Sequence, residues 1–378
     1  MNILSYKVST KRGHSQLRLT SCLTHHPPPH PFTRHALVAP THDKIPECSG
    51  CRGPNDCGLW SIVAAGLRVQ SGDMTTNGTI QPGTVVVGYD GSDHAKLALR
   101  WAADEAAMES RPLTVLHVTD ALTKYELSTL TGTWIPSDEL RKDVADFAGE
   151  VLSEAQESVS ASHPDVEVEL VAITGDPRSV LLDASKTAGS LFVGSRGRGQ
   201  VASLLLGSVS VAVSRAAHCP TFVIRPHNEG RVRNGIIVGT DCSERTRATL
   251  EFAYRQASLR QLPLTVLHSV GPVEAFDRMG VFVEAIENTY EQERLELATS
   301  VAGLAEKFPE VRARLRVGQG VPDVCLLSEG EKMDLIVVGH HAGRRPGDMF
   351  GLGSFATSVV ENAHSPVVVV AERREERG

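Results

Sequence analysis

The chain repeats itself. The segment VVVGYDGSDHAKLALRWAADEAAMESRPLTVLHV, which starts at Val85, lines up with IIVGTDCSERTRATLEFAYRQASLRQLPLTVLHS, which starts at Ile236. Gly88 and Gly239 are 151 residues apart, and so are His117 and His268. By Pro177 and Pro322 the spacing has fallen to 145, and at Pro220 and Pro366 it is 146. A repeat of this length is the size of a domain rather than of a solenoid unit, so the chain carries two copies of one fold. The second copy is six residues shorter in its middle and one residue longer in its glycine loop.

Both copies carry the same alternation. A β-branched run at 84–87 leads through a polar turn into AKLALRWAADEAAMES, whose apolar residues recur at helical spacing. Pro112 precedes a second strand, LTVLHV, and an amphipathic helix is expected around 144–159. VEVELVAI alternates as a third strand, SVLLDASKTA reads as a helix, and LFVG and TFVI read as the fourth and fifth strands. Strands that alternate with helices imply a parallel sheet covered on both faces. The expected fold class is therefore α/β. It comprises two tandem doubly wound, Rossmann-like domains over residues 79–227 and 228–378, each a five-stranded parallel sheet with helices on both faces.

Residues 1–78 have another character. THHPPPHPFTRHALVAPTHDK shows neither helical nor strand periodicity. Cys48-x2-Cys51 with Cys57 and the nearby histidines could ligate zinc, but a structural zinc site wants two paired ligand clusters at finger-like spacing. The first thirty residues lack the apolar core of a signal peptide. The preferred reading is an irregular N-terminal extension, disordered or the product of a start assigned too early, with MTTNGTIQPGTVVVGYDGS from Met74 as the natural beginning. On that reading the first 73 residues are dispensable.

Composition narrows the partners. Of 378 residues 41% are hydrophobic and 22% charged, the balance of a globular protein, and the net charge of −7 argues against a general nucleic-acid binder. The apolar stretch Leu59–Leu67 is too short to span a bilayer. Cys219, Cys242 and Cys325 are scattered, as reduced thiols of a cytoplasmic protein would be.

In open α/β sheets a ligand sits beyond the carboxyl ends of the strands, where the strand order reverses, and the first and fourth strands flank that point. Both end in glycine, Gly88 before YDGS and Gly194 before SRGRG. The second loop has the spacing Gly194-x2-Gly197-x9-Gly207-Ser208 and runs into the helix SVSVAVSRAA. Glycines let main-chain amides approach a polyanion, and a helix N-terminus adds unpaired donors and a favourable dipole. Ser208 could supply a hydroxyl to phosphate or merely cap the helix. Arg196 and Arg198 offer phosphate contacts, although Arg198 could equally be a solvated loop residue. Two other phosphate motifs fail. Gly194-x4-Gly199 lacks the Lys and Ser/Thr of a P-loop, and GYDGSD after the first strand is not a dinucleotide fingerprint.

Taken together, VVVGYDGS, TVLHV, GDP, GSRGRG…LLLGSVS and HCPTFVIR resemble the universal stress protein family, in its tandem-domain, ATP-binding type. The resemblance covers both copies, and the G-x2-G-x9-G-[ST] spacing is that family's nucleotide signature. It implies a regulator of stress or dormancy responses that binds ATP, with or without Mg, and acts through an unidentified protein partner. It also implies a cytoplasmic homodimer formed through the fifth strand. By resemblance Gly88, Tyr89, Asp90 and Val118 would take the base and ribose. Gly194, Ser195, Arg196 and Gly197 would wrap the phosphates, and Gly207, Ser208, Val209 and Ser210 would complete the cradle. The alternative reading is a slow ATPase or an adenylyl-transfer enzyme on the same fold. Phosphoryl transfer needs metal ligands and charge neutralisation, and Asp90 is the one acidic residue evident in the two loops of the first copy.

The second copy departs from the pattern. HHAG follows Gly339, so the next glycine is Gly343, and Cys242 stands where the first copy has Gly91. A weaker second site is expected at Gly239, Asp241, Gly339, Gly343, Gly353 and Ser354, with a purely structural partner domain as the alternative. His117 and His268 read as buried, hydrogen-bonded histidines rather than catalytic ones. His340 and His341 could line the second site or face solvent. Cys219 and Cys242 could be oxidised, but neither has a resolving cysteine nearby in sequence. The fifth strands PTFVI and PVVVV are apolar edges and are expected to pair between domains or between chains.

Overall fold

The computed structural model describes residues 74–75, 80–119, 137–197, 206–226, 234–271, 283–340 and 353–371. In the first half these form strands β1 (Met74–Thr75), β2 (Val85–Gly88), β3 (Leu113–Thr119), β4 (Val168–Thr174), β5 (Ser190–Gly194) and β6 (Thr221–Ile224). Between them run helices α1 (Asp93–Glu109), α2 (Ser137–Ser162), α3 (Pro177–Ala184) and α4 (Ser208–Ala216). The second half repeats the order with β7 (Ile236–Thr240), β8 (Leu264–Val270), β9 (Ala313–Gln319), β10 (Leu335–His340) and β11 (Val367–Ala371). Its helices are α5 (Arg247–Arg260), α6 (Val283–Lys307), α7 (Pro322–Gly330) and α8 (Gly353–Asn362).

Local chemistry explains the boundaries. Ser92 caps α1 by accepting the amide of Ala95, and Ser110 ends the helix in a left-handed conformation. Asp176 caps α3 from the amides of Arg178 and Ser179, with Pro177 in the first turn where its missing N–H costs nothing. Val85, Val86 and Val87 are all fully buried because the sheet is covered on both sides. Burying each such side chain contributes roughly 1.5–3 kcal/mol.

All eleven strands join one sheet, in the order β1-β4-β3-β2-β5-β6-β11-β10-β7-β8-β9. Each half is parallel and reverses its order beside its first strand, as expected for doubly wound domains. The halves meet through antiparallel pairing of β6 with β11, with Phe222 opposite Val368. The two apolar fifth strands thus cover one another within the chain, and the edge through which the resemblance implied dimers is already occupied. The first half also has a strand beyond the expected five. β1 pairs in parallel with β4, Met74 beside Leu170, and shields an otherwise open edge.

Each face has a continuous apolar core that crosses from one half to the other. Phe192 and Phe222 stack at 4.2 Å on the face covered by α1, α2, α5 and α6, and Phe252 of the second half tilts against Phe222 at 6.1 Å. The opposite core gathers Leu181, Val213, Leu326 and Val359. No helix among the described residues is long and apolar enough to cross a membrane. The extension at 1–73, with its zinc and false-start readings, lies outside the described residues.

Candidate functional site

A cavity of about 290 Å³ opens at the carboxyl ends of β2 and β5, where the first half reverses its strand order. Gly88, Tyr89, Asp90 and Val118 line one side of it. Gly194, Arg196, Gly197, Gly207, Ser208, Val209 and Ser210 line the other. These are all the residues expected in the first half except Ser195. The remaining wall is apolar, from Ala95, Leu116, Pro177, Leu181 and Val193. Sequence patterning does not single those five out, because an apolar residue at the end of a strand looks the same whether it faces core or ligand.

The cradle is held by close main-chain packing. A β carbon at Gly194 would stand 2.6 Å from the backbone carbonyl carbon of His94, so no side chain fits there without parting α1 from β5. Ser195 is buried and does not wrap the cavity. Its amide donates to Ile224 O at 2.8 Å, its carbonyl accepts the Gly207 amide at 2.7 Å, and its hydroxyl shares a 2.9 Å hydrogen bond with His94 Nδ1. Ser195 therefore anchors the base of the loop. Ser210 also has a fastening role, since its hydroxyl donates to Gly194 O at 2.7 Å and pins the start of α4 to the end of β5.

Ser208 is not the helix cap. Gly207 takes that position, at φ −80° and ψ 155°, and having no side chain it leaves the first amides of α4 uncapped. Those amides begin at Ser208, Val209 and Ser210, all at the cavity wall. A helix start of this kind is a ready anion site. The charges agree. Burial and then the Arg196 charge lower the pKa of the His94 imidazole, and burial followed by Arg196 brings Arg225 down to about 10. Asp93 and Asp90 pull His94 the other way but do not cancel the effect. An anion entering here would relieve the mutual repulsion of Arg196 and Arg225. Asp90 accepts the Ser92 amide at 3.0 Å, and Gly197 crosses so near that a β carbon there would stand 2.8 Å from Asp90 Oδ2. Arg198 lies outside the described residues.

The matching cavity of the second half is smaller, about 190 Å³. Gly239, Asp241 and Gly339 line it, together with Thr240, His268 and Phe355. Gly353 and Ser354 stand at the start of α8, while Gly343 and His341 lie outside the described residues. Phe355 occupies the place of Val209 and takes up room. Asp241 is already engaged, accepting from the Ser243 amide at 3.0 Å and from the Ser243 hydroxyl at 2.6 Å.

His117 and His268 are fastened alike, each with Nδ1 on a main-chain carbonyl 28 residues earlier, Tyr89 at 2.7 Å and Thr240 at 2.9 Å. They then diverge. His117 faces the ring of Phe147 edge-on at 6.1 Å, whereas His268 Nε2 meets Glu293 Oε2 at 2.9 Å. The neighbouring Cys242 thiol, the Thr240 carbonyl and Glu293 together raise the His268 pKa to about 9. A pKa above the unfolded value of about 6.5 means that the fold favours the proton, so this stability is complete below about pH 6.5 and is lost as pH rises through 9. The difference in urea-unfolding free energy between the parent and His268→Gln is expected to shrink by on the order of 3 kcal/mol between pH 6 and pH 9.5. A difference independent of pH would refute the assignment.

Against this geometry the comparisons with known proteins can be set. A family model described as "Universal stress protein family" matches residues 83–225 and again 233–371. The chain is similar to a universal stress protein of Mycobacterium tuberculosis, with 32% identity over 301 residues, 76% of this chain and 96% of that protein. A second universal stress protein of the same organism is 34% identical over 299 residues, covering 76% and 97%. The crystal structure of a universal stress protein from Archaeoglobus fulgidus superposes with a TM-score of 0.56 at 19% identity, over 78% of this chain and 98% of that one.

Proposed function

The chain belongs to the universal stress protein family, and from that premise we propose that its first half binds ATP or a related adenine nucleotide and acts as a nucleotide-dependent regulator of stress or dormancy. The observation that carries the reading is the convergence on one cavity of eleven residues drawn from four separate stretches of sequence. Gly88 and Val118 flank the base, with Leu116 and Leu181 as the apolar wall beneath it. Asp90 accepts from the ribose. Gly194, Arg196 and Gly197 and the amides at the start of α4 take the phosphates.

Asp90 is the only carboxylate among the described residues that line the cavity. A magnesium ion would therefore be carried mainly by the phosphates and water, since Mg commonly binds through one or two carboxylates plus phosphate oxygens. One carboxylate and no second candidate base favour binding over turnover. The second half acts as a structural partner with a weaker site. A cytoplasmic homodimer remains part of this reading, but it would have to form through a surface other than the fifth strands.

Mass spectrometry of nucleotide released from the purified protein, followed by calorimetric titration of the stripped protein with ATP, tests the proposal. About one equivalent per chain is expected, with binding lost in Arg196→Ala/Gly197→Val. No adenine nucleotide in the released fraction and no heat with ATP, ADP or AMP would overturn it. Rapid steady release of phosphate would favour the ATPase alternative.

A further inference from the structure

The sheet ends differently on its two sides. In the first half β1 lies beside β4, and Leu170, paired with Met74, is only 6% exposed. In the second half β9 is the last strand, and Leu315, the repeat equivalent of Leu170 at the spacing of 145, is 38% exposed. The connection between the halves explains the contrast. β1 comes from the chain just upstream of β2, but the residues at the same distance before β7 are Arg225 and Pro226, which follow β6 in the middle of the sheet. Joining the halves in one chain therefore deprives β9 of the cover that β4 has.

Substitutions between the halves change the chemistry of this edge. Arg312 and Arg314 stand where the first half has Glu167 and Glu169, and Arg316 stands where it has Val171. Strand alternation puts these arginines on the face of β9 covered by α7, where Arg316 meets Glu329 at 3.0 Å. Arg312 and Arg314 are exposed and have no ion pair among the described residues. At the start of α7, exposed Val321 and Val324 replace Asp176 and Ser179. Leu315 lies on the other face of β9 with Val317, which packs on the core beneath α5 and α6. The edge has thus gained apolar side chains and exchanged negative charge for positive, on a chain whose net charge is −7. Its main chain is open as well. Arg312 O accepts the Leu264 amide of β8, so by alternation the amides and carbonyls of Leu315 and Val317 point away from β8, to the side with no strand among the described residues.

We propose that β9 is a docking edge for an extended acidic segment of a partner protein, which adds to the sheet as a further strand. The main chain of that segment pairs with Leu315 and Val317, its Asp or Glu side chains meet Arg312, Arg314 and Arg316, and its alternate apolar side chains pack on Leu315. Other occupants match the edge less well. A second copy offers its own β9, which would set arginine against arginine across the pair, or its β4, which β1 already covers. Residues 1–73 of this chain carry eight Lys and Arg against four Asp and Glu, the wrong sign for this edge. Arginines on an edge guard against self-association, and the same row selects an acidic strand. No residue of the first-half cavity belongs to the edge, and docking there requires no nucleotide.

The test uses the full chain and the fluorescein-labelled heptapeptide EVEVEVE, as long as β9, with KVKVKVK and the non-alternating EEEEVVV as controls. EVEVEVE should bind at least about tenfold more tightly than either control, and more weakly as salt is raised. The Leu315 and Val317 amides should exchange their protons more slowly once it is bound. Arg312→Glu/Arg314→Glu, which installs the glutamates of the first half, should reverse the order of EVEVEVE and KVKVKVK without moving the thermal midpoint. Equal affinity for the three peptides, or no binding, overturns the proposal, as does acidic binding that survives the charge reversal. Slow exchange of the Leu315 and Val317 amides before any peptide is added would show the edge already covered and also overturns it. So does an oligomer in sedimentation that Leu315→Asp dissolves, which would assign the edge to a second copy.

Discussion

Gly207→Val should leave the protein folded and weaken ATP binding by at least about tenfold. Gly207 sits at φ −80°, a conformation open to any residue, so no backbone strain follows from the change. A β carbon there would meet Ser195 O at 3.5 Å, the Arg196 Cα at 3.6 Å and the Gly197 amide at 3.8 Å, all ordinary contacts. Loss of glycine at a helix cap costs about 1 kcal/mol. The added methyl groups would nevertheless stand between the amides of α4 and the main chain of the glycine loop, where the phosphates are placed. Two displaced charge-assisted hydrogen bonds at about 1.5–3 kcal/mol each exceed the 1.4 kcal/mol of a tenfold change. The matching change, Gly353→Val, should matter much less, because the cavity of the second half is smaller and Asp241 is already engaged. Calorimetric titration of both variants, with thermal midpoints near that of the parent, decides the matter. Abolished binding in Gly353→Val beside intact binding in Gly207→Val would move the principal site to the second half.

Gly207 also marks the limit of what sequence reveals. The spacing of Gly194, Gly197 and Gly207 places a loop against a helix start, and the repeat gives the domain count and the parallel sheet. Such features are local or periodic, so they survive projection onto one dimension. The division of labour within the loop does not. Ser195 and Ser208 look equivalent as hydroxyls near glycine, yet packing buries Ser195 against His94 and leaves Ser208 exposed. The sequence asks that the apolar fifth strands pair between domains or between chains, but an apolar edge does not say which, and β6 meets β11 within the chain. Glu293 illustrates the same gap. It meets His268 from a helix that begins after a long connection, and only the internal alignment, which sets it against Ala148, could have marked it.

Gln256→Glu should cost about 3–5 kcal/mol and lower the thermal midpoint by roughly 10 °C. The two halves are held on one face by a polar cluster in an otherwise apolar setting. Glu105 of α1 is 1% exposed, lies 2.6 Å from Arg260 of α5, and accepts a short hydrogen bond from the side-chain amide of Gln256. Arg260 donates to Gln256 at 2.9 Å and covers the Trp101 ring at 4.8 Å. Burial raises the Glu105 pKa and Arg260 pulls it back, so the carboxylate depends on its partners. Glu105 and Gln256 are repeat equivalents, 151 residues apart, and they face each other across the join. Two identical halves would set carboxylate against carboxylate with too few donors between them, or amide against amide with no charge for Arg260. The unlike pair gives both carboxylate oxygens of Glu105 a donor, from Gln256 and Arg260, and gives the Gln256 carbonyl oxygen the Arg260 donor. In Gln256→Glu the Arg260 guanidinium, which now bonds one carboxylate and one amide, must serve two buried carboxylates. The loss in chemical denaturation should be largest at neutral pH and should shrink in acid, as one carboxyl takes up a proton at a folded-state pKa above its unfolded value. The transposed double variant, Glu105→Gln with Gln256→Glu, restores one charge and one amide beside Arg260 and should recover most of the stability. A parental midpoint in the single variant, or a double variant less stable than the single, would show that this cluster does not hold the halves together.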